Sequence, residues 1–146
     1  MNKPYQNLVD DRIFIGGAAD AEGMINNEGV EVIVDLRAEA TECAYPAPHV
    51  EWIRVPLGDN AEQPQDQLLQ QAIHHVIEAY NSGKKVGFHC AGGGGRAGSV
   101  AVGTLLKLGM YKTIDEAEAA AKAIRPKVNI KPAQRDALEA LFGNHK

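Results

Sequence analysis

Residues 85–99, KVGFHCAGGGGRAGS, place three kinds of segment next to one another. Residues 85–89 predict a strand, residues 90–95 form a glycine-rich loop, and residues 96–108 are apolar and rich in small side chains. The last segment is typical of a buried helix that ends at a glycine, here Gly109. A strand, a tight loop and a helix in succession indicate an α/β fold.

The rest of the chain repeats this alternation. Further strands are predicted at residues 12–15, 30–36 and 51–56, and further helices at 20–27, 65–80, 113–124 and 132–142. Asp20 is a candidate N-cap, and Thr113 with Glu116 forms a capping box. Residues 38–49 contain two prolines and no periodicity, which predicts a loop. We therefore expect a single compact α/β domain, with a central, mostly parallel sheet flanked by helices.

Composition excludes several classes of protein. The chain has 146 residues, of which 45% are hydrophobic and 23% charged. This length predicts one domain, residues 1–146, and the balance excludes collagen, a coiled coil and a disordered tail. A formal net charge of -4 argues against a nucleic-acid partner. Because no apolar run approaches the ~20 residues of a membrane span, no membrane partner is expected.

The cysteine content bears on compartment and cofactors. Two cysteines, Cys43 and Cys90, are too few for a disulfide framework, and neither lies in a Cys-x-x-Cys pair. The N-terminal segment lacks the positive and apolar regions of a signal peptide. We expect a reduced, cytoplasmic protein that holds no metal and needs no cofactor.

The glycine loop itself has the chemistry of an anion site. Backbone N–H groups that curl into a helix N-terminus bind anions, and glycines let the backbone approach the ligand closely. Cys90 precedes this loop and Arg96 follows it. Amide dipoles and a guanidinium group stabilise a thiolate, and the arginine fork matches two phosphate oxygens. The segment predicts a nucleophile beneath a bound phosphoryl group.

Each part also has a plainer interpretation. Four consecutive glycines occur in flexible linkers, although a strand and a helix flank these directly. A free cysteine is often a core residue, and an isolated arginine is more often a salt-bridge partner than a ligand-binding group. The placement of Cys90 and Arg96 on either side of one glycine loop favours the anion site.

His-Cys-x5-Arg, residues 89–96, is the signature of the protein tyrosine phosphatase superfamily. The surrounding sequence resembles its small dual-specificity branch, which includes bacterial members, over residues 14–141. The similar segments are VIVDLR at residues 32–37, VPLGDN at 55–60 and IRPKVNIKPAQ at 124–134. The spacing of 31 residues from Asp59 to Cys90 also fits this branch.

The resemblance implies a role for each residue of the motif. Cys90 would attack phosphorus, Arg96 would bind the equatorial oxygens, and Asp59 would protonate the leaving oxygen. His89 would support the loop and Ser99 would lie in the following helix. The phosphate-binding residues would be Ala91, Gly92, Gly93, Gly94, Gly95 and Arg96. An aspartate after a glycine is also a common turn residue, so Asp35, Glu62 and Asp66 remain alternative acids.

One departure from the family pattern affects function. The family has Ser or Thr directly after the arginine, to ease departure of the cysteine sulfur, whereas this chain has Ala97. Ser99 lies two residues further on and is not expected to reach, so we expect slow release of phosphate. The loop also lacks the lysines of phosphoinositide-specific relatives, which disfavours an inositol lipid.

The sequence therefore predicts a metal-independent phosphomonoester hydrolase that acts through a cysteinyl-phosphate. Its substrate would be a phosphorylated protein or a small phosphomonoester. A phosphate-binding pseudophosphatase is one alternative, and a rhodanese-like sulfurtransferase is a less favoured one. Two side questions stay open: Arg37 forms either a salt bridge or a substrate contact, and Cys43 is either an ordinary thiol or a redox partner of Cys90.

Overall fold

The computed structural model describes residues 4–58 and 65–143. Within these ranges, five strands form one sheet in the order β1-β2-β5-β3-β4. The strands are β1 (Gln6–Val9), β2 (Ile13–Gly17), β3 (Val32–Arg37), β4 (Glu51–Leu57) and β5 (Val86–Cys90). Only β1 is antiparallel to its neighbour, and every other pairing is parallel.

Five helices in the described ranges cover the two faces of this sheet unequally. They are α1 (Ala21–Glu28), α2 (Asp66–Asn81), α3 (Gly95–Lys107), α4 (Ile114–Ile124) and α5 (Pro132–Phe142). The larger apolar cluster joins the sheet to α2, α3, α4 and α5, whereas α1 contributes to a smaller cluster. Strand β3 serves both clusters, because Val32 and Val34 belong to the larger one and Ile33 to the smaller.

This architecture confirms the predicted fold class, and two local predictions differ in outcome. The capping box at α4 is present, since the Glu116 amide donates to Thr113 Oγ1 at 3.1 Å. Asp20 occupies the predicted N-cap position of α1, but its side chain makes no capping hydrogen bond to that helix. Instead Asp20 Oδ2 accepts a hydrogen bond of 2.7 Å from the Gly17 amide, which ties down the end of β2.

Strand β1 is the one described strand that the sequence did not predict. It is four residues long and only two of its side chains are buried. So short a segment shows too few alternations of apolar and polar residues to be recognised. No helix in the part of the chain that the structure describes has both the length and the hydropathy of a membrane span.

The parallel strands place their carboxyl ends along one edge of the sheet. Cys90 at the end of β5 pairs with Gly17 at the end of β2, and His89 pairs with Asp35 in β3. Strand β5 therefore delivers Cys90 to the centre of this edge. Ligands of open α/β sheets bind outside the carboxyl ends of the strands.

Candidate active site

Cys90 stands where β5 passes into the glycine loop. Its side chain is buried, with 3% of the residue exposed. The Gly93 amide donates a hydrogen bond to Cys90 Sγ at 3.2 Å. Helix α3 begins at Gly95, so the four residues between the strand and the helix close a tight turn around the sulfur. The thiol thus faces at least one loop amide directly.

The carbonyl groups of this loop are all bound to the surrounding structure. Cys90 O contacts His89 Nδ1 at 3.1 Å, and Ala91 O accepts from the Ala18 amide at 3.1 Å. The carbonyls of Gly92 and Gly93 accept from one arginine, Arg125, at 3.2 and 2.9 Å, and Gly94 O accepts from the amides of Gly98 and Asn129. Because the C=O and N–H of a peptide point in opposite directions, these bonds turn the amides toward the inside of the loop.

One position of the loop requires glycine. Gly93 has a φ of +80°, a conformation that side chains rarely adopt. A Cβ built there lies 2.5 Å from Arg125 Nη2 and 2.8 Å from Gly16 O. Both the backbone conformation and the lack of space therefore exclude a side chain at residue 93.

Arg96 lies in the first turn of α3 and is 3% exposed. Its Nη1 donates to Leu57 O at 2.9 Å, at the end of β4. Nη1 and Nη2 also contact the two carboxylate oxygens of Glu39 at 2.8 and 3.0 Å. These bonds hold the pKa of Glu39 at about 2, so Glu39 stays ionised above strongly acidic pH. Arg96 is thus fixed between α3 and the loop that follows β3.

A second network of charges lies beneath the loop. His89 is fully buried, and burial lowers its pKa although nearby Asp35 opposes that shift. Burial raises the pKa of Asp35, but hydrogen bonds from Arg37 and Trp52 and the nearby His89 together outweigh this effect, so the net pKa is lowered. Asp35 also accepts from Trp52 Nε1 at 3.0 Å and lies 4.0 Å from His89 Nδ1. The neutral imidazole of His89 therefore lies next to the buried carboxylate of Asp35, which is paired with Arg37.

The structure brings together most of the residues that the sequence singled out. His89, Cys90, the loop glycines and Arg96 lie together where β5 passes through the loop into α3. The Ser99 hydroxyl donates to Gly95 O at 2.8 Å, a contact within its own helix. Asp59 and Glu62 lie outside the described residues. Asp35 does not fit the role of alternative acid, since it is fully buried and bound to Arg37.

Two contributors were missed at the sequence level. Glu39 pairs with Arg96, and Arg125 binds two loop carbonyls from a position far along the chain. A buried arginine needs a carboxylate or several carbonyl acceptors, and Glu39 follows shortly after the VIVDLR strand. That proximity was the available signal for Glu39. Arg125 lies in the family-like segment 124–134, but nothing in that segment pointed to the loop carbonyls as its partners.

Both cysteines are free thiols. Cys43 lines a small cavity with Ile33 and Trp52, on the side of the smaller apolar cluster, whereas Cys90 packs in the larger cluster. Among the residues that the structure describes, no group of three or more His, Cys, Asp or Glu side chains is arranged to hold a metal ion.

Solved structures with similar folds are dual-specificity phosphatases and relatives. A mouse putative dual specificity phosphatase complexed with zinc tungstate has a TM-score of 0.85 at 20% identity, covering 98% of this chain and 89% of that one. Human DUSP28 has a TM-score of 0.83 at 21% identity, covering 98% and 95%. PTPMT1 in complex with PI(5)P has a TM-score of 0.79 at 18% identity, covering 96% and 95%.

Sequence comparison is more specific about the family. No curated protein sequence matches this chain significantly. The sequence profile described as "Dual specificity phosphatase, catalytic domain" matches residues 13–141, which contain every part of the site described above. The chain therefore belongs to the dual-specificity phosphatase family, within the protein tyrosine phosphatase superfamily.

Proposed function

We propose that this protein is a metal-independent phosphomonoester hydrolase that works through a cysteinyl-phosphate on Cys90. One observation carries the proposal. Cys90 Sγ accepts a hydrogen bond from the Gly93 amide, and the carbonyl groups of the same loop make their contacts on its outer side. Such a loop presents N–H groups to an anion. A thiolate under a bound phosphoryl group is in position for in-line attack.

In the first step the Cys90 thiolate attacks phosphorus. An S–P bond forms, the ester P–O bond breaks, and the leaving oxygen takes a proton from Asp59. The amides of residues 91–96 and the Arg96 guanidinium stabilise the charge on the equatorial oxygens. The role of Asp59 is assigned from the sequence. Asp59 lies two residues after Leu57, and the Leu57 carbonyl accepts a hydrogen bond from Arg96.

In the second step water attacks the cysteinyl-phosphate. The Asp59 carboxylate takes a proton from the water, a new P–O bond forms, and the S–P bond breaks to restore the thiolate. A hydroxyl group near the sulfur would stabilise this thiolate as it leaves. Ala97 has none and the Ser99 hydroxyl is bound to Gly95 O, so we propose that this second step is slow.

The site favours a substrate with one isolated phosphoryl group. Residues 91–95 carry no side chain larger than a methyl group, so the loop contributes no lysine for a second phosphate. Arg96 is partly neutralised by Glu39, and Arg37 by Asp35. A phosphorylated protein side chain or a small phosphomonoester fits this charge distribution better than the phosphoinositide of the PTPMT1 complex.

Hydrolysis of p-nitrophenyl phosphate in the presence of EDTA tests the proposal. The unmodified chain should release phosphate, Cys90→Ser should release none, and Cys43→Ser should retain the full rate as the matched control. Equal activity in the native and Cys90→Ser proteins would contradict the cysteine mechanism. Phosphate or vanadate binding without turnover would instead support a pseudophosphatase, which the missing hydroxyl at Ala97 keeps as the second candidate.

A further inference from the structure

The shape of the phosphate loop depends on one residue remote in sequence. Arg125 Nε donates to Gly93 O at 2.9 Å, and Arg125 Nη2 donates to Gly92 O at 3.2 Å. These two carbonyls lie on the outside of the turn that faces Cys90. If they were released, the peptides could rotate and the corresponding amides would no longer be aimed at the anion.

Arg125 is in turn held by the N-terminal segment of the chain. Its Nη1 donates to Pro4 O at 2.8 Å and to Gln6 Oε1 at 2.6 Å. Asp20 Oδ2 lies 4.0 Å from Nη2, too far for a hydrogen bond. The described hydrogen bonds of the Arg125 side chain thus run to the phosphate loop on one side and to residues 4–6 on the other.

The N-terminal segment is itself fixed firmly enough to orient an arginine. Tyr5 is 2% exposed and donates through its hydroxyl to Glu28 Oε2 at 2.8 Å. Its ring packs edge-on against Phe14, with the ring centroids 6.4 Å apart. Pro4 and Gln6 are therefore the direct neighbours of an anchored residue, Tyr5. Arg125 is 2% exposed, so its N–H groups need protein acceptors.

We propose that Gln6 is a positioning residue of the phosphate loop and acts through Arg125. Gln6 and Pro4 O fix the outer edge of the guanidinium, and its inner edge fixes the carbonyls of Gly92 and Gly93. The segment at residues 4–6 thereby forms part of the support of the active site, and it acts on the reacting groups through Arg125. The catalytic consequence rests on the proposed function, whereas the effect on loop order does not.

Gln6→Met removes the acceptor and keeps a side chain of similar length. Asn7→Ala is the matched control, because Asn7 lies in the same strand and its amide group bonds to Asp10 O and Asp11 Oδ1, away from Arg125. The first measurement is amide hydrogen exchange in the unliganded proteins. Exchange at Gly93 should be about tenfold faster in Gln6→Met than in Asn7→Ala. Equal exchange in the two variants would overturn the proposal.

The second measurement follows anion binding at the same loop. Iodoacetamide alkylates cysteines, and mass spectrometry of the Cys90 peptide separates its reaction from that of Cys43. Inorganic phosphate should protect Cys90, and half-protection should need about tenfold more phosphate in Gln6→Met. Asn7→Ala should match the unmodified chain. Phosphate protection unchanged in Gln6→Met would show that Gln6 has only a local role in β1, against the proposal.

A double-mutant cycle tests whether Gln6 acts through Arg125. Arg125→Lys keeps a positive charge but cannot bridge two carbonyls and the N-terminal acceptors together. In that background Gln6→Met should have little further effect on Gly93 exchange. Full additivity would contradict the route through Arg125. If the native chain hydrolyses no phosphomonoester, the proposed function fails, yet the exchange comparison still decides the role of Gln6.

Discussion

Two buried arginines flank the glycine loop, one toward β3 and β4 and the other toward β1. Arg96 and Arg125 are 3% and 2% exposed, and both donate to backbone carbonyls. Their carboxylate partners differ. Glu39 binds Arg96 through two short contacts and its side chain is 57% exposed, whereas Asp20 lies 4.0 Å from Arg125 and is 11% exposed.

This difference separates two tasks that an anion site requires. Arg96 is held by the ends of β3 and β4, next to an exposed carboxylate. In the proposed mechanism it binds the phosphoryl oxygens. Arg125 is bound to the carbonyls of the loop itself and shapes the backbone that binds the ligand. A cradle of backbone amides stabilises charge only when its dipoles are fixed in advance. In the proposed mechanism the two arginines therefore contribute to the same oxyanion site by different means.

Replacement of Arg96, the arginine proposed to bind the ligand, should have the largest effect on activity. Arg96→Lys loses the planar fork and leaves Glu39 without its bidentate partner. We expect kcat/KM to fall roughly 10²–10³-fold, the range seen when one transition-state donor is lost. Arg54→Lys is the control, because Arg54 also donates to backbone carbonyls at the end of β3, those of Arg37 and Ala38. A similar fall in kcat/KM in both variants would contradict a direct role of Arg96 in ligand binding.

A substitution at Gly93, where the loop contacts Arg125, should lower both the free energy of unfolding and the order of the loop. Gly93→Ala places a methyl group against Arg125 Nη2 and forces a positive φ on alanine. We expect the free energy of unfolding to fall by about 1–3 kcal/mol. Gly92→Ala is the matched control, since a Cβ there meets nothing within 4 Å, and its stability should change by less than ~0.5 kcal/mol. Denaturant titration of both variants measures the difference.

A hydroxyl restored near the sulfur should speed only the second chemical step. Ala97 is fully buried at the position that follows Arg96. In Ala97→Ser we expect the cysteinyl-phosphate to decay about tenfold faster, which corresponds to the ~1.4 kcal/mol typical of one hydrogen bond to a charged group. Single-turnover kinetics measure the decay. An absent burst in the native chain, with hydrolysis as fast as in Ala97→Ser, would contradict slow release.

The buried charges beneath the loop should give a smaller, pH-dependent effect. The folded-state pKa of His89 is lowered by burial, so the unfolded chain binds a proton first as pH falls through about 6.5. The free energy of unfolding should therefore decrease below that pH, by at most ~1.4 kcal/mol per pH unit for one proton. Denaturant titrations from pH 7.5 to 5.5 should show a weaker decrease in His89→Gln. An equal slope in both proteins would exclude His89 as its source.

The sequence identified the candidate ligand-binding residues, but it did not identify the residues that support the loop. Cys90, the glycines and Arg96 are contiguous, so local chemistry and a six-residue spacing identify them. The α/β class was also predictable, because strands and helices alternate with clear apolar patterns. Arg125 and Gln6 are 119 residues apart, and their contact exists only once β1 lies beside β2. Since β1 is too short to show a pattern, neither the strand nor its contact was predictable.

Electrostatic pairing was likewise not readable from local sequence. Glu39 and Asp35 both lie near the end of β3 beside Arg37, and either could have been its partner. Burial decides between them: Asp35 points into the protein and binds Arg37, whereas Glu39 reaches Arg96 across the site. The same burial removes Asp35 from consideration as a general acid, a role that sequence alone left open.

The most direct test of the central claim is to trap the phosphorylated enzyme. The native chain is mixed with ³²P-labelled phosphotyrosine peptide or another labelled phosphomonoester, quenched in acid within milliseconds, and digested. We expect stoichiometric label on the peptide that contains Cys90, none in Cys90→Ser, and unchanged labelling in Cys43→Ser. Release of labelled phosphate by the native chain without any label on Cys90, at every time sampled before the first turnover, would contradict the cysteinyl-phosphate mechanism.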